Sequence, residues 1–487
     1  MTTRSNADSC RPNILFIMTD DQTVREMSCY SSGILQTPNM DRIAYGGTRF
    51  ANCFTTNALC APARATVLTG CFSHRHGIRG NSERADAVEE LDSNIPTFPE
   101  LLREAGYCTG LVGKYHIRQD PRGFDYWAIH PGQGEYFDPL YIENGGHVQK
   151  HGYASDITTD LALNFLSQTE QSQPFCLVYQ FKAPHRPFSP APRHADMFSD
   201  AEIPETETLN DDYATRRIAA IAEDMQFEQS LAGDYDDLPE SLNRQERKEW
   251  IYQRFIKDRY RTIYGVDENL GRVLDYLDEQ GIAEDTLILY TSDHGYFLGE
   301  HGWYDKRFMY DPSIHIPLVA SYPRLGVAGH VASEMVMNVD FAPTILDFAN
   351  VPIPEGMQGR SLRPLMEGKS SDDWRSSIYY AYYENSWELR GKGDEAMAEP
   401  YRYFTPHRIG PHRGVRTERY KLIEYYSEGG YWELFNLYND PHELKNLYGE
   451  KAYAEIGADL KRELMRLRQQ YHDLDESAHT LTNSPGD

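Results

Sequence analysis

Cys60, Pro62 and Arg64 lie within the stretch NALCAPARATVLTG, residues 57–70, where a helix is predicted to begin. The cysteine could be a packed core residue, a thiol nucleophile or the target of a modification. A thiol phosphatase would require arginine at position 66, which is threonine. A buried core cysteine is common in proteins, so this stretch alone leaves packing and modification open.

Three aspartates follow apolar segments and could bind a cation. Asp20 and Asp21 end the segment NILFIMTDD, and Asp293 follows LILYTS. Each could be a turn residue, but three clustered carboxylates would repel one another unless a cation neutralised them. Oxygen ligands suit Ca²⁺ or Mg²⁺. His294 could complete the coordination through a ring nitrogen, or only form a hydrogen bond nearby.

Five basic residues lie in five separate segments of the chain: Arg64, Lys114, His116, His185 and Lys306. A lone lysine is normally solvated, and a lone histidine is commonly structural. Together, beside a metal ion, the five describe a pocket for a tetrahedral oxyanion. The cations would neutralise charge on the transferred group while the histidines move protons.

The segments that carry these residues are typical of buried strands. NILFIMTDD, CTGLVGKYH, PFCLVYQFKAPH and DTLILYTSDHG are apolar runs that end in polar residues. Helical patterns at 95–107 and 259–281 lie between such runs. This alternation predicts an α/β fold, a large and mainly parallel sheet flanked by helices. Ligands of such sheets bind beyond the carboxyl ends of the strands, where the candidate residues collect.

We predict a large α/β domain over residues 1–375 and a smaller C-terminal subdomain over 376–487. The acidic segment 196–258 has weak strand signals, and we expect a solvated helical excursion there, with a substrate lid as the alternative. After residue 375, the aromatic runs SIYYAYYEN, GVRTERYKLIEYY and YWELFNLYND precede a helical pattern at 453–474. These predict an antiparallel sheet with a terminal helix.

Composition limits the partners of this 487-residue chain. Its formal net charge of −26 argues against binding to nucleic acid or to an anionic membrane surface, but not against a small anion in a basic cleft. The seven cysteines are scattered and do not indicate a disulfide framework. The first residues lack the apolar core of a signal peptide. We therefore expect a cytoplasmic protein, or a periplasmic one if a leader was removed.

The ordered series of motifs resembles the type I sulfatases, members of the alkaline phosphatase superfamily. Cys-x-Pro-x-Arg continuing into ATVLTG is similar to the family signature. The other resembling segments, in family order, are MTDDQ, GKYHI, APHRP, TSDHGYFLGEHGWYDKRFMYDPSIHIPLV, NVDFAPTIL and GVRTERYKLI. Tyr115 stands where the family commonly has tryptophan, and Ala63 where it frequently has serine. Neither departure removes a catalytic group.

The resemblance implies a sulfuric ester hydrolase with an alkaline phosphatase-like fold. In the family, a formylglycine-generating enzyme oxidises the cysteine at the position of Cys60 to formylglycine, whose hydrate carries the nucleophile. The implied metal site, usually around Ca²⁺ with Mg²⁺ or Mn²⁺ possible, consists of Asp20, Asp21, formylglycine from Cys60, Asp293 and His294. The other implied roles are sulfate binding by Lys114, Lys306 and His185, protonation of the leaving alcohol by His185 or Lys306, stabilisation of the hydrate by Arg64 and base catalysis by His116.

The second metal segment and the C-terminal aromatic region resemble bacterial sulfatases that act on sulfated sugars, such as glucosamine-6-sulfate and uronate sulfate. This predicts a small sulfated saccharide as the substrate. The candidate sugar-contacting residues, each of which could equally be ordinary surface, are His407, Arg408, His412, Trp387 and Arg390.

Three alternatives to a carbohydrate sulfatase stay open at this point. An arylsulfatase and a phosphonate monoester or phosphodiester hydrolase belong to the same superfamily. A protein of a different class, which binds sugar without catalysis, would leave Cys60 unmodified. The complete set of metal and cation candidates argues against this last alternative, because binding alone does not need all of them.

Overall fold

The computed structural model describes residues 11–31, 33–81, 89–369, 373–384, 407, 409–426 and 429–474. Its strands are β1 Asn13–Thr19, β2 Thr48–Phe54, β3 Cys108–Gly113, β4 Tyr126–Ile129, β5 Leu140–Glu143, β6 Gly146–Gln149, β7 Phe175–Gln180, β8 Thr286–Ser292, β9 His315–Ile316, β10 Leu318–Ser321, β11 His330–Met337, β12 Ser377–Tyr382, β13 His412–Thr417, β14 Tyr420–Tyr425 and β15 Tyr431–Asn436. Its α-helices are α1 Pro38–Tyr45, α2 Cys60–Thr69, α3 Ser73–His76, α4 Phe98–Glu104, α5 Ala154–Gln168, α6 Arg217–Ile221, α7 Phe227–Ser230, α8 Arg244–Glu279, α9 Asp311–Ile314, α10 Phe341–Phe348, α11 Arg363–Met366 and α12 Ala454–Gln470.

A large mixed sheet forms the framework. Its strand order is β11-β2-β10-β8-β1-β7-β3-β4-β5-β6, and β9 pairs with β2. The strands from β8 to β4 are all parallel, whereas β10 runs antiparallel to β8 and to β2, and β5 and β6 add an antiparallel edge. The predicted α/β fold is confirmed, with parallel pairing concentrated at the centre of the sheet.

The central strand β1 shows why these segments become strands. Successive side chains of a strand point to opposite faces. Ile14 and Phe16 pack in one core with α10 residues such as Ile345, and Leu15 packs in the opposite core with α8 residues such as Ile263. Because both faces are covered, the strand needs a continuous apolar run rather than an alternating one.

Two sequence expectations about the region before β8 are corrected. Helix α8 begins at Arg244 rather than at residue 259, because the Asn243 side chain accepts hydrogen bonds from the first turn and forms a capping box with Glu246. The acidic excursion is not simply solvated, since Phe227 and Leu231 are fully buried. No helix in the described part of the chain has the length and apolar character needed to cross a bilayer.

A second, smaller sheet follows the large one in the chain. It has the antiparallel order β12-β13-β14-β15, and α12 packs on it through Leu460, Leu464 and Leu467. The predicted antiparallel sheet with a terminal helix is therefore confirmed. The domain boundary between residues 375 and 376 stays a prediction.

Candidate active site

The carboxyl ends of two neighbouring parallel strands place the three candidate aspartates together. Asp20 and Asp21 directly follow β1, and Asp293 directly follows β8, which pairs with β1. The amide of Asp21 donates a hydrogen bond to Asp293 Oδ1 at 3.2 Å. All three side chains are buried. The expectation that ligand-binding residues collect at the carboxyl ends of parallel strands thus correctly grouped residues that are 272 positions apart in the chain.

Cys60 is the first residue of α2 and points into this group of carboxylates. Its Sγ lies 3.5 Å from Asp20 Oδ1 and 3.4 Å from His294 Nε2. Pro62 is tolerated here because amides in the first helical turn have no partner within the helix. The start of α2 therefore delivers the Cys60 side chain to the edge of the sheet.

Arg64 lies one turn further along α2 and binds across the same edge. Its Nε donates to Asp293 Oδ2 at 3.1 Å, and its Nη1 donates to Gln180 Oε1 at 2.8 Å and to the main-chain oxygen of Lys114. Arg64 thereby connects the ends of β3, β7 and β8. This buried, multiply bonded position suits an orienting and charge-stabilising residue.

Two lysines pair with the aspartates that follow β1. Lys114 follows β3, and its Nζ donates to Asp20 Oδ2 and to Gln133 Oε1, with Cys60 Sγ 3.9 Å away. Lys306 Nζ donates to Asp21 Oδ1 at 2.7 Å.

These pairs produce different pKa shifts in the two adjacent aspartates. Burial would raise the pKa of Asp20, but Lys114 and further nearby cations hold it well below its usual range. Burial raises the pKa of Asp21 despite Lys306, and the neighbouring Asp20 adds to this rise. Burial and Asp20 also raise the pKa of the Cys60 thiol well above its usual range. An unmodified Cys60 is therefore a protonated thiol, which is a poor nucleophile.

The histidines of the site present one ring nitrogen each to the cluster. His294 Nδ1 donates to the Gly295 carbonyl at 3.0 Å, which leaves Nε2 as the acceptor facing Cys60. His185 Nδ1 donates to the Arg186 carbonyl at 2.8 Å, and its Nε2 lies 3.9 Å from Asp21 Oδ2.

His116 is also buried, and burial together with Lys114 lowers its pKa well below its usual range. It therefore stands beside the lysine as a neutral imidazole. All ten candidate catalytic and metal-binding residues thus fall in one region at the edge of the sheet: Asp20, Asp21, Cys60, Arg64, Lys114, His116, His185, Asp293, His294 and Lys306.

The donor atoms of the cluster fit a divalent cation. Two overlapping groups have ligand atoms within 4.8 Å of one another, namely Asp20, Cys60, Asp293, His294 and Asp20, Asp21, Cys60, His185. Asp21 Oδ2 is buried and has no hydrogen-bond partner among the described residues. Buried carboxylate oxygens without a donor are costly, and oxygen-rich sets suit hard cations.

Sequence reasoning missed several residues that contact the site. Gln180 is the last residue of β7 and Lys182 lies two residues beyond it, so the rule that ligands bind at the carboxyl ends of strands could have found both. Gln133 gave no such signal, because it lies in a loop after β4. Asp305 lies 3.2 Å from Lys306 Nζ, and its carboxylate pairs with His407 Nε2.

The candidate sugar-contacting residues have different outcomes. His407 is buried beside Asp305, close to the site. His412 is fully buried and packs against the rings of Tyr382 and Tyr425, so its place is in the core and not at a sugar subsite. Trp387, Arg390 and Arg408 lie outside the described residues.

The fold and the site together are those of an α/β protein with a buried cluster of carboxylates, histidines and cations at the edge of its large sheet. A profile of the sulfatase family matches residues 12–351, and a profile of the C-terminal region of N-sulphoglucosamine sulphohydrolase matches residues 389–470. The chain belongs to the sulfatase family. It is a sulfuric ester hydrolase, and the family implies a divalent metal.

Several proteins are similar over most of their length. An N-acetylglucosamine-6-O-sulfatase of Bacteroides thetaiotaomicron is 41% identical over 524 residues, covering 98% of this chain and 90% of that protein. A solved structure of a protein in complex with its substrate D-glucosamine-2-N,6-O-disulfate has a TM-score of 0.85 and 41% identity, covering 96% of this chain and 99% of the other. A phosphonate monoester hydrolase of Silicibacter pomeroyi has a TM-score of 0.75 at 23% identity, covering 95% and 96%, which shows the fold alone.

Proposed function

We propose that this sulfatase removes the 6-O-sulfate of a glucosamine-type sugar, using formylglycine formed from Cys60 and a Ca²⁺ ion. The observation that carries the chemistry is the position of Cys60, whose Sγ lies within the metal-ligand group yet has a raised pKa. A protonated thiol there contributes little, whereas an oxygen-bearing group suits the hard cation. The substrate is supported by the 41% identity to an N-acetylglucosamine-6-O-sulfatase.

The metal is assigned to Asp20, Asp21, Asp293 and His294, together with the modified residue 60. When bound, the cation and formylglycine would supply Lewis acidity and an activated hydroxyl nucleophile. His294 suits this set because its Nδ1 is held by a carbonyl, which leaves Nε2 for the metal. The unpartnered Asp21 Oδ2 supplies a further ligand atom.

Lys114, Lys306 and His185 are assigned to the sulfate group. Both ammonium groups act electrostatically on Cys60 and would neutralise the sulfate oxygens as charge develops. The carboxylates of Asp20 and Asp21 hold both ammonium groups in place.

The leaving alcohol needs a proton as its bond to sulfur breaks. Although burial opposes the charge, Asp21 raises the pKa of Lys306 well above its usual range. Burial and Lys114 lower the pKa of His185. Lys306 thus carries a proton in this arrangement, and His185 and Lys306 both stay assigned as candidates for the donor. Arg64 is assigned to the formylglycine hydrate, and the neutral His116 to its deprotonation.

The first test is the mass of the tryptic peptide 50–64 from protein expressed with a formylglycine-generating enzyme. We expect the mass loss of a cysteine-to-aldehyde conversion, localised by fragmentation to Cys60 and not to Cys53, which lies in the same peptide. Unmodified Cys60 in an active preparation would contradict the proposed nucleophile. The maturation enzyme and the cytoplasmic location stay predictions from the sequence.

The second test compares substrates on the converted protein. Glucosamine-6-O-sulfate, glucosamine-2-N-sulfate, 4-nitrophenyl sulfate and a phosphate diester would be assayed side by side, with and without chelator and added Ca²⁺. We expect the highest kcat/KM for the 6-O-sulfate, and loss of turnover with chelator that Ca²⁺ restores. Preference for another ester would contradict the proposed substrate without affecting the assignment of Cys60.

A further inference from the structure

A loop after β4, residues 131–136, connects two of the residues assigned to sulfate binding. Gln133 Oε1 accepts a hydrogen bond from Lys114 Nζ. Three residues further on, Tyr136 Oη donates to the His185 carbonyl at 2.6 Å. The loop therefore touches both the segment after β3 and the segment after β7.

Lys182 contacts this loop at Gln133 and at Tyr136. It is 3% exposed, and its Nζ donates to the main-chain oxygen of Gln133 at 3.2 Å. The same ammonium lies 4.9 Å from the centre of the Tyr136 ring, within the range of a cation–π contact. Both contacts of Lys182 thus fall on the residues through which the loop reaches Lys114 and His185.

The charge of Lys182 has an energetic cost. Burial and the nearby Lys114 lower its pKa to about 8, so folding disfavours its ammonium form. A buried charged group is costly unless it is well paired or hydrogen-bonded. Packing alone therefore does not explain a lysine at this position.

The loop has little room at Gly134, next to Gln133. Gly134 has a φ of +70°, and a Cβ there would lie 2.7 Å from Cγ of the His130 ring. The His130 ring in turn packs against Tyr141, with centroids 4.3 Å apart. A loop supported in this way transmits the position of its main chain to the Gln133 side chain.

We propose that Lys182 is a positioning residue for Lys114. It fixes the main chain at Gln133, so that Gln133 Oε1 holds the Lys114 ammonium where a sulfate oxygen arrives. Lys182 acts through the loop and does not itself touch the sulfate. This inference rests on the proposed role of Lys114 in sulfate binding.

The test is a double-mutant cycle on the mature, metal-loaded enzyme. Lys182→Met and Gln133→Ala are each expected to lower kcat/KM by about 10- to 100-fold, because a small misplacement of a binding group has effects of this size. If Lys182 acts through Gln133, the kcat/KM of the double variant is no lower than that of the more impaired single variant. The matched control is Lys150→Met, which removes a lysine paired with Glu143 at 3.1 Å and should leave kcat/KM unchanged.

A second readout separates this inference from the proposed substrate. The dissociation constant for inorganic sulfate, measured by titration calorimetry on the same four proteins and the control, should weaken with the same non-additive pattern. This dissociation constant does not depend on which sugar is the substrate. A parent enzyme that does not turn over glucosamine-6-O-sulfate would therefore contradict the proposed function alone.

If the kcat/KM loss of the double variant equals the product of the two single losses, Lys182 acts independently of Gln133 and the inference is overturned. Parent-like kcat/KM and sulfate affinity in Lys182→Met would overturn it as well. If Lys182→Met did not fold, Gln133→Ala, at a half-buried position, would test the inference instead. Parent-like kcat/KM and sulfate affinity in Gln133→Ala would contradict the proposed link between Gln133 and Lys114.

Discussion

The active site and the contact between α9 and the small sheet each hold a group of charged residues, and the two groups pair their charges in different ways. The active-site group is buried, whereas Asp311 in the second group is partly exposed. In the second region, Asp311 accepts hydrogen bonds from Arg416 Nη2 at 2.8 Å and from Lys421 Nζ at 2.7 Å. Glu443 completes the group by accepting from the Asp311 amide at 2.7 Å and pairing with Lys421 at 2.5 Å. This group pairs the Asp311 carboxylate with its own cations, while burial raises the pKa of Glu443 to about 7.

The active site leaves part of its charge unsatisfied. Burial raises the pKa of Asp21 and Lys306 does not overcome it, whereas for Asp311 the opposing effects of Arg416 and Lys421 overcome burial and lower the pKa. The two aspartates therefore differ because of their partners. Both carboxylate oxygens of Asp311 accept hydrogen bonds, whereas Asp21 Oδ2 has no donor among the described residues and is available to an external cation.

The largest expected effect is on turnover and concerns Cys60 in the active site. Cys60→Ala should reduce sulfate ester turnover by more than about 10⁴-fold, because it removes the group that is modified. The melting temperature should change little. The measurement is kcat on the preferred sulfated sugar, with Cys29→Ala as a control that keeps activity. Residual turnover within 100-fold of the parent would contradict the role of residue 60.

The next largest effect concerns a lysine of the same cluster. Lys306→Ala should lower kcat by about 10²–10³-fold, because one donor to the developing charge is lost. The fold should remain intact, as judged by circular dichroism and urea unfolding. Activity within a few-fold of the parent would remove Lys306 from the sulfate pocket.

The matching substitution in the Asp311 cluster should act on stability. Lys421 is fully buried, and Lys421→Met leaves Asp311 and Glu443 without this partner. We expect the free energy of unfolding to fall by about 3 kcal/mol, with kcat of the folded enzyme unchanged. The exposed Lys445, paired with Glu450, offers the control Lys445→Met, which should alter neither quantity. A large loss of kcat in Lys421→Met would erase the contrast between the two clusters.

The smallest effect is a pH dependence in the small sheet. Burial raises the pKa of Glu433 to about 7, while its Oε2 accepts a hydrogen bond from Tyr310 at 2.9 Å. The folded protein thus holds a proton that the unfolded chain, with a pKa near about 4.3, releases. Stability from this group is present at low pH and is lost as the pH rises through the folded value, by about 2 kcal/mol between pH 5 and 7.

Glu433→Gln should remove this dependence. Relative to the parent, the variant should gain stability as the pH rises from 5 to 7, in urea unfolding at each pH. The exposed Glu418 supplies the control Glu418→Gln, which should track the parent. A difference between Glu433→Gln and the parent that stays constant with pH would show that Glu433 is ionised throughout.

Much of the fold and part of the site could be predicted from local patterns. Continuous apolar runs predicted β1, β3, β7 and β8, because strands covered on both faces need such runs. The start of α8 was missed because the charged residues after Asn243 obscure the helical period, although the capping pair was present in the sequence. Gln133 was missed because a loop residue carries no sign of the lysine that it will contact.

The sequence by itself determined the family signature around Cys60, the strand ends that carry Asp20 and Asp293, and hence the location of the chemistry. The tertiary structure alone decided that Lys182 supports the loop at Gln133 and that His412 is enclosed by tyrosines. It also decided that Asp21 and Asp311 have opposite pKa shifts. The physical reason is that strand formation follows from neighbouring residues, whereas desolvation and charge pairing depend on distances between groups far apart in the chain.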